Sequence, residues 1–237
     1  PDGIAAEEAG DCGMELQVLD ELVVAAAQAL GLNEFESAAH VDFERFKSCV
    51  FPRANARAKC CKLDALVVWT VMRTFIKGSI EALLGLDEAG VALPARAAQA
   101  EGMSLQVLLA LGQERVRLSA KQRKQAFEAA TCARAIYEQE GLWDDADRIL
   151  AIHRALSRAQ QDQEVFPLRR FHKIYVDEVQ DLTNAELVLL LKMCETGTLF
   201  LAGDPAQAVA EGVDFRFDEV RSVFHRLSGK APKKTLN

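Results

Sequence analysis

The stretch "VDEVQD", Val176 to Asp181, sets Asp177, Glu178, Gln180 and Asp181 directly behind the apolar run "IYV". A buried strand seldom ends on so dense a cluster of negative charge. Chemistry that calls for Asp followed by Glu at a strand end is nucleoside triphosphate hydrolysis. The Asp orients a hydrated magnesium ion, and the Glu, on the other side of the strand end, polarises the attacking water. The plainer reading is that these acids are solvated turn residues.

Placing such a pair requires a strand in front of it and a neighbour beside it. "HKIYVDE" is a short β-branched and aromatic run, too short for a helix. "TNAELVLLLKMCE" follows as a helix, with Thr183 as N-cap and Glu186 three residues on to close a capping box. "TLFLAGD" is a second strand, ending at Gly203 and Asp204. Strand, helix, strand is a βαβ unit, which implies parallel pairing. Ligands of such sheets sit beyond the carboxyl ends of the strands. Residues 172–204 are therefore expected to form two parallel, adjacent or near-adjacent strands joined by a helix. Two strands alone do not make a stable α/β sheet, so further strands must come from elsewhere.

Before about residue 165 the sequence reads as successive helices. "MELQVLDELVVAAAQAL" has helical apolar spacing with no Gly or Pro inside. "LDALVVWTVMRTFIKGSIEALLGL" reads as one long helix with a weak point or close contact at Gly78. "SAKQRKQAFEAATCARAIYEQEG" opens on a Ser119 cap and stops at Gly141, and "WDDADRILAIHRALSRAQQ" gathers acids in its first turn. Loops are expected around Pro52, Pro94 and Gly102. The division is a mostly α-helical subdomain over residues 1–165 and an α/β part over residues 166–237.

Composition narrows the classes. The chain has 237 residues, a net charge of −7 and 50% hydrophobic residues. No apolar stretch is long enough for a bilayer, and no secretory signal is visible. The six cysteines form no C-x-x-C pair, so reduced thiols in an intracellular protein, nuclear or cytoplasmic, are expected, without a structural metal. Charge is uneven: residues 1–44 carry eleven acids and no Lys or Arg, whereas residues 45–77 carry eight bases and only Asp64. A second basic run, Arg115 to Lys124, has five bases and no acid. The first run is either a solvated helix face or a patch for a nucleic-acid backbone, whose affinity would fall with salt.

"VDEVQD", followed 26 residues after Asp177 by "GDPAQ", resembles motifs II and III of superfamily 1 helicases of the UvrD/Rep type. "GLWDDADRIL" is similar to the Asp-Asp-Leu stretch before motif II, and the terminal "TLN" to the start of motif IV. "VDFERFKSCVFPRA", "LVVWTVMRTFIKGSIEAL" and "GVDFRFDEVRSVFHRL" resemble the UvrD-like region of large tetratricopeptide- and ankyrin-repeat-containing proteins. The resemblance implies a partial RecA-like P-loop NTPase domain preceded by a helical insertion. It implies ATP and Mg2+ as cofactors and single-stranded nucleic acid, DNA or RNA, as partner, with no membrane. Asp177 would hold the magnesium ion, Glu178 would be the general base, and Gln207 would sense the γ-phosphate and the attacking water. Gln180, Asp181, Gly203 and Asp204 would couple the ATP site to the strand-binding surface.

The match has gaps. No G-x-x-x-x-G-K-[ST] phosphate loop occurs; "KGS" at Lys77 to Ser79 and "SGK" at Ser228 to Lys230 lack the preceding glycines. Truncation ahead of Pro1 is the simplest expectation, and this chain by itself is then not expected to hydrolyse ATP. After Gln207 the family places aromatic residues and then Arg. Here Ala210 and Gly212 stand where rings are expected, and Arg216 comes three residues late. Phe215 or Phe217 is the candidate for stacking on a base, worth ~1–3 kcal/mol per base, with Arg216 beside it. The rival expectation is a degenerate helicase-like domain acting as a protein- or RNA-interaction module.

Overall fold

The computed structural model describes residues 16–58, 62–84, 102–113, 115–161, 168, 170–195 and 198–203. Helix α1 (Leu16–Ala29) buries Val23, Ala26 and Ala27 on one face. A helical run then passes through α2 (Phe43–Arg45), a π turn (Phe46–Val50) and α3 (Phe51–Ala58). The expected loop at Pro52 is not there. Proline lacks an N–H and normally breaks a helix, but here it is the second residue of α3, just past a π turn whose hydrogen bonds are already out of α register.

The expected long helix from residue 63 is interrupted at Gly78. Its first part is α4 (Ala65–Thr70), capped by Asp64, and a π segment (Val71–Lys77). After Gly78 and Ser79 the chain resumes as α5 (Ile80–Leu84). Gly102, at φ +94°, lies against the end of that π segment, where Met103 N–H donates to the Ile76 carbonyl at 2.7 Å. Only glycine fits, because a Cβ there would strike the Ile76 backbone.

Helices α6 (Leu105–Ala110), α7 (Ala120–Glu140) and α8 (Asp145–Gln161) follow. Both expected ends of α7 are present: Ser119 and Gln122 form a capping box, and Gly141 closes the helix in the left-handed conformation. Strands β1 (Ile174–Val176) and β2 (Leu199–Leu201) pair in parallel, Ile174 opposite Leu199 and Val176 opposite Leu201. Helix α9 (Asn184–Met193) joins them, with the expected Thr183–Glu186 capping box in place. Among the described residues the architecture is helix-rich, with one small parallel two-stranded sheet.

Two cores organise these elements. The larger is built from α2 to α7 and centres on Phe46, Met72, Ile76, Leu108 and Ile136. The second gathers α1, α8, β1 and α9 through Val23, Ile149, Ile152, Leu156, Ile174 and Leu189. Helices α1 and α8 thus cover the same core as the β1–α9–β2 unit. Burying these side chains supplies the main stabilisation, about 25 cal/mol per Å² of apolar surface. The described cysteines Cys49, Cys132 and Cys194 are free thiols. Among the described residues no helix is long and apolar enough to cross a membrane.

Candidate active site

Strand β1 ends at Val176, and its last carbonyl accepts from Ala202 N–H at 2.8 Å. Val179 N–H in turn donates to the Ala202 carbonyl at 3.0 Å. These two bonds extend the ladder past both strands and hold the Asp177–Glu178 turn beside Gly203. Asp177 is exposed, and its Oδ1 accepts the Glu178 N–H at 2.9 Å. Glu178 is half-buried and sits in the left-handed region at φ 50° and ψ 42°. It is the one non-glycine residue with positive φ among those described. Such conformations cost a side chain of this kind of order 1–3 kcal/mol and persist where the surroundings enforce them.

Residues Val179–Asp181 form a single 3₁₀ turn, with Val179 fully buried against Leu187, Val176 and Leu201. This anchor lets Gln180 reach back, and its Nε2 donates to Glu178 Oε2. Asp181 is exposed on the same turn. The structure therefore brings Asp177, Glu178, Gln180, Asp181 and Gly203 to one end of the sheet. Asp204, Gln207, Phe215 and Arg216 lie outside the described residues. Among the described residues, no group of three or more His, Cys, Asp or Glu side chains is arranged to hold a metal ion.

The start of α9, directly behind the acidic turn, is bolted to the helices on three sides. Ala185 N–H donates to the Gly78 carbonyl at 2.9 Å, and a Cβ on Gly78 would come within 2.8 Å of Thr183 Cβ. Arg73 reaches Glu186 Oε1 at 3.3 Å, while Glu186 Oε2 takes the Thr183 N–H at 2.6 Å. His153 of α8 donates through Nε2 to the Ala185 carbonyl at 2.8 Å. That carbonyl only accepts, so Nε2 carries the hydrogen and Nδ1 faces Lys192 Nζ at 3.5 Å. Burial, with help from Lys192, pushes His153 down to about 3.

Sequence reasoning anticipated the Thr183–Glu186 box and a weak point or close contact at Gly78, but missed the supports from Arg73, His153 and Lys77. Lys77 had been only a scrap of a phosphate loop; it is buried and donates to Asp144 Oδ2 and Asp147 Oδ2, each at 2.7 Å. Its ammonium lies 4.9 Å from the centre of the Tyr137 ring. Asp144 and Asp147 also cap α8 reciprocally, each accepting the other's backbone N–H at 3.1 Å. Burial raises Asp144 to about 6, against the opposing pull of Lys77. A Lys followed by Gly, with an Asp-x-x-Asp pair at a later helix start, was the available signal. Nothing in the sequence linked the two.

The first basic run is largely engaged within the fold. Arg45 donates to the carbonyls of Ala38 and His40 at 2.8 and 2.6 Å. Arg53 pairs with Glu140, Arg57 reaches Gln139 at 3.3 Å, and Arg73 and Lys77 have the partners given above. In the second run, Arg123 is buried and donates to the carbonyls of Leu108, Leu109, Leu111, Gly112, Leu118 and Val116. These contacts favour a structural use of most of the first run, and of Arg123 in the second, over a continuous phosphate-facing patch.

Comparison with known proteins places the chain in a family. No solved structure matches the chain. It is 32% identical over 190 residues to the TPR and ankyrin repeat-containing protein 1 of Homo sapiens, an alignment covering 80% of this chain. The chain spans 6% of the length of that relative. The family model described as the UvrD/REP helicase N-terminal domain matches residues 74–211, more than half of the chain and the whole of the acidic turn. By that match the chain belongs to the UvrD/REP helicase N-terminal domain family.

Proposed function

We propose that the chain carries the acidic half of an ATPase site in a nucleic-acid translocase or helicase. A single observation carries this reading: in a chain of this family, Asp177 and Glu178 close β1 beside Gly203 at the end of β2. Magnesium bound with a nucleotide takes one or two carboxylates and otherwise phosphate and water oxygens. The exposed Asp177 at the strand end fits that need without a cage of protein ligands. The ion, when bound, neutralises developing phosphate charge.

The roles within the chain follow from position. Asp177 holds the cation side of the site. Glu178 takes the proton of the attacking water, and Gln207 reads the γ-phosphate. Gln180, Asp181 and Asp204 connect these groups to single-stranded nucleic acid, with Phe215 and Arg216 contributing there. The phosphate loop comes from elsewhere in a longer polypeptide. The α/β part, residues 166–237, is then a partial RecA-like domain. The helical part, residues 1–165, is an insertion, with α1 and α8 packed across that line onto α9.

The rival reading is a degenerate helicase-like module that binds protein or RNA. It is favoured by Ala210 and Gly212 at positions where the family carries rings. The deciding experiment is Glu178→Gln in the full-length protein, measuring ATP turnover and nucleotide affinity. The amide keeps the shape but cannot accept the proton, so turnover falls ~10²–10⁴-fold while binding persists. Unchanged turnover rejects Glu178 as the base. A wild-type protein that neither binds nor hydrolyses ATP hands the case to the interaction module.

A further inference from the structure

We propose that Gln180 is a positioning residue for Glu178, and that Gly203 is glycine because it must make room for the Gln180 amide. The proposal rests on the ATPase reading of this site and assigns Gln180 a task distinct from coupling to nucleic acid. Three observations converge on it. Gln180 Nε2 donates to Glu178 Oε2. A Cβ built on Gly203 would fall on Gln180 Oε1 and within 2.8 Å of Val179 Cγ1. Glu178 itself holds a left-handed backbone that its neighbours must enforce.

The chemistry explains why an amide is used. An ionised carboxylate only accepts hydrogen bonds, so Gln180 must present its nitrogen to it and its oxygen toward Gly203. A donor that carries no charge fixes one carboxylate oxygen without neutralising the base, as Lys or Arg would. Glu178 Oε1 takes no partner among the described residues, which leaves it for the attacking water. Val179 is fully buried between the two residues, so the turn that carries the amide is anchored to the core. The end of β2 then closes the far side: a side chain at position 203 would push the amide off the carboxylate.

The test is made in the full-length protein by steady-state ATP hydrolysis. Gln180→Met keeps the length of the side chain and loses the donor. Turnover is expected to fall on the order of 10-fold, the rate equivalent of one hydrogen bond to a charged group. The KM for ATP should stay within about twofold, because a positioning residue acts on the reacting geometry and not on uniform binding. Gln180→Glu, similar in size but unable to donate when ionised, should lose as much or more. Gly203→Ala should reproduce the Gln180→Met defect, and the double variant should be no worse than either alone.

Failure of the proposal and failure of the underlying reading are distinguishable. If Glu178→Gln abolishes turnover while Gln180→Met keeps wild-type kcat, Gln180 does not position the base and the inference falls alone. A rise in KM with unchanged kcat for Gln180→Met also overturns it, since the residue then serves binding. If Glu178→Gln is as active as wild type, or the wild type has no ATPase, the site reading falls and takes the inference with it.

Discussion

The ammonium of Lys77 lies 2.7 Å from Asp144 Oδ2, and both side chains are sealed from solvent. Asp147, the second acceptor, is partly exposed. One cation thus satisfies two acids at the start of α8, one residue before the Gly78 carbonyl holds α9. Lys77→Met would strand Asp144 in the interior without a counter-charge. Breaking a buried pair from one side typically costs ~3–5 kcal/mol. Urea unfolding should show that loss, and adding Asp144→Asn to Lys77→Met should recover part of it.

His153 sets a pH dependence with a defined sign. Its folded value of about 3 lies below the ordinary 6.5, because burial disfavours the charged ring and Lys192 repels it. Its contribution is fully present above pH 6.5 and is lost as pH falls toward 3, by up to about 1.4 kcal/mol per pH unit. Asp144, raised by burial and by the neighbouring Asp147 from 3.8 to about 6 against the opposing pull of Lys77, has the opposite slope and loses stability as pH rises through that window. Between about pH 4 and 6 the two offset each other. Relative to wild type, His153→Gln should lose less stability on acidification from pH 6 to 4, and Asp144→Asn should lose more. Chemical denaturation at several pH values reads both.

Gly78 is required by contact. An alanine there would drive its Cβ onto the Arg73 carbonyl and to within 2.8 Å of Thr183 Cβ. Gly78→Ala is expected to destabilise by ~1–3 kcal/mol, as overpacking does. Hydrogen exchange at Ala185 should accelerate, because its N–H loses the Gly78 carbonyl.

Arg123 replaces an absent carboxylate with carbonyls. Six of them, from Leu108 to Leu118, point at one buried guanidinium, whose pKa burial lowers. Arg123→Met leaves those acceptors without their donor. Faster amide exchange across residues 105–118 is expected, with a stability loss of ~1–3 kcal/mol for the orphaned polar groups.

Asp177→Asn should separate the cation role from the base role. In the full-length protein it is expected to weaken magnesium-dependent nucleotide binding, since a carboxylate charge at the strand end is removed. Titration of a fluorescent nucleotide with and without magnesium measures this. Equal affinity for wild type and Asp177→Asn at limiting magnesium would reject the assignment.

How far the sequence carried can be judged residue by residue. Thr183 with Glu186 was legible as a capping box, and Ser119 as a cap, because such interactions are local, spanning three residues. The β1–α9–β2 order was legible for the same reason: periodicity and turn residues are read within a short window. The π segment at Val71–Lys77 was not, since its apolar residues fit α spacing equally well and tertiary packing decides the register. Lys77 with Asp144 spans 67 residues, and Gly78 with Ala185 more than a hundred. Such pairings are fixed by the packing of whole helices. The Asp177–Glu178 turn was legible as the end of a strand, but the left-handed backbone of Glu178 and its hydrogen bond from Gln180 depend on how the turn packs against β2.

The stacked rings of Tyr175 and Phe200 stand 4.9 Å apart on the outward face of the sheet, 41% and 48% exposed. The π segment gives the fold a different kind of sensitivity. A π turn contains an extra residue compared with an α turn, and each helical residue rotates the chain by about 100°. Deleting one residue between Val71 and Ile76 would restore ordinary winding, and because the turn absorbs the loss, Lys77 would keep nearly the same face toward Asp144. The Ile76 carbonyl that meets Met103 would be taken back into the helix ladder. A single lost codon in this stretch would therefore be felt where the helix meets Met103, although Lys77 would keep its direction.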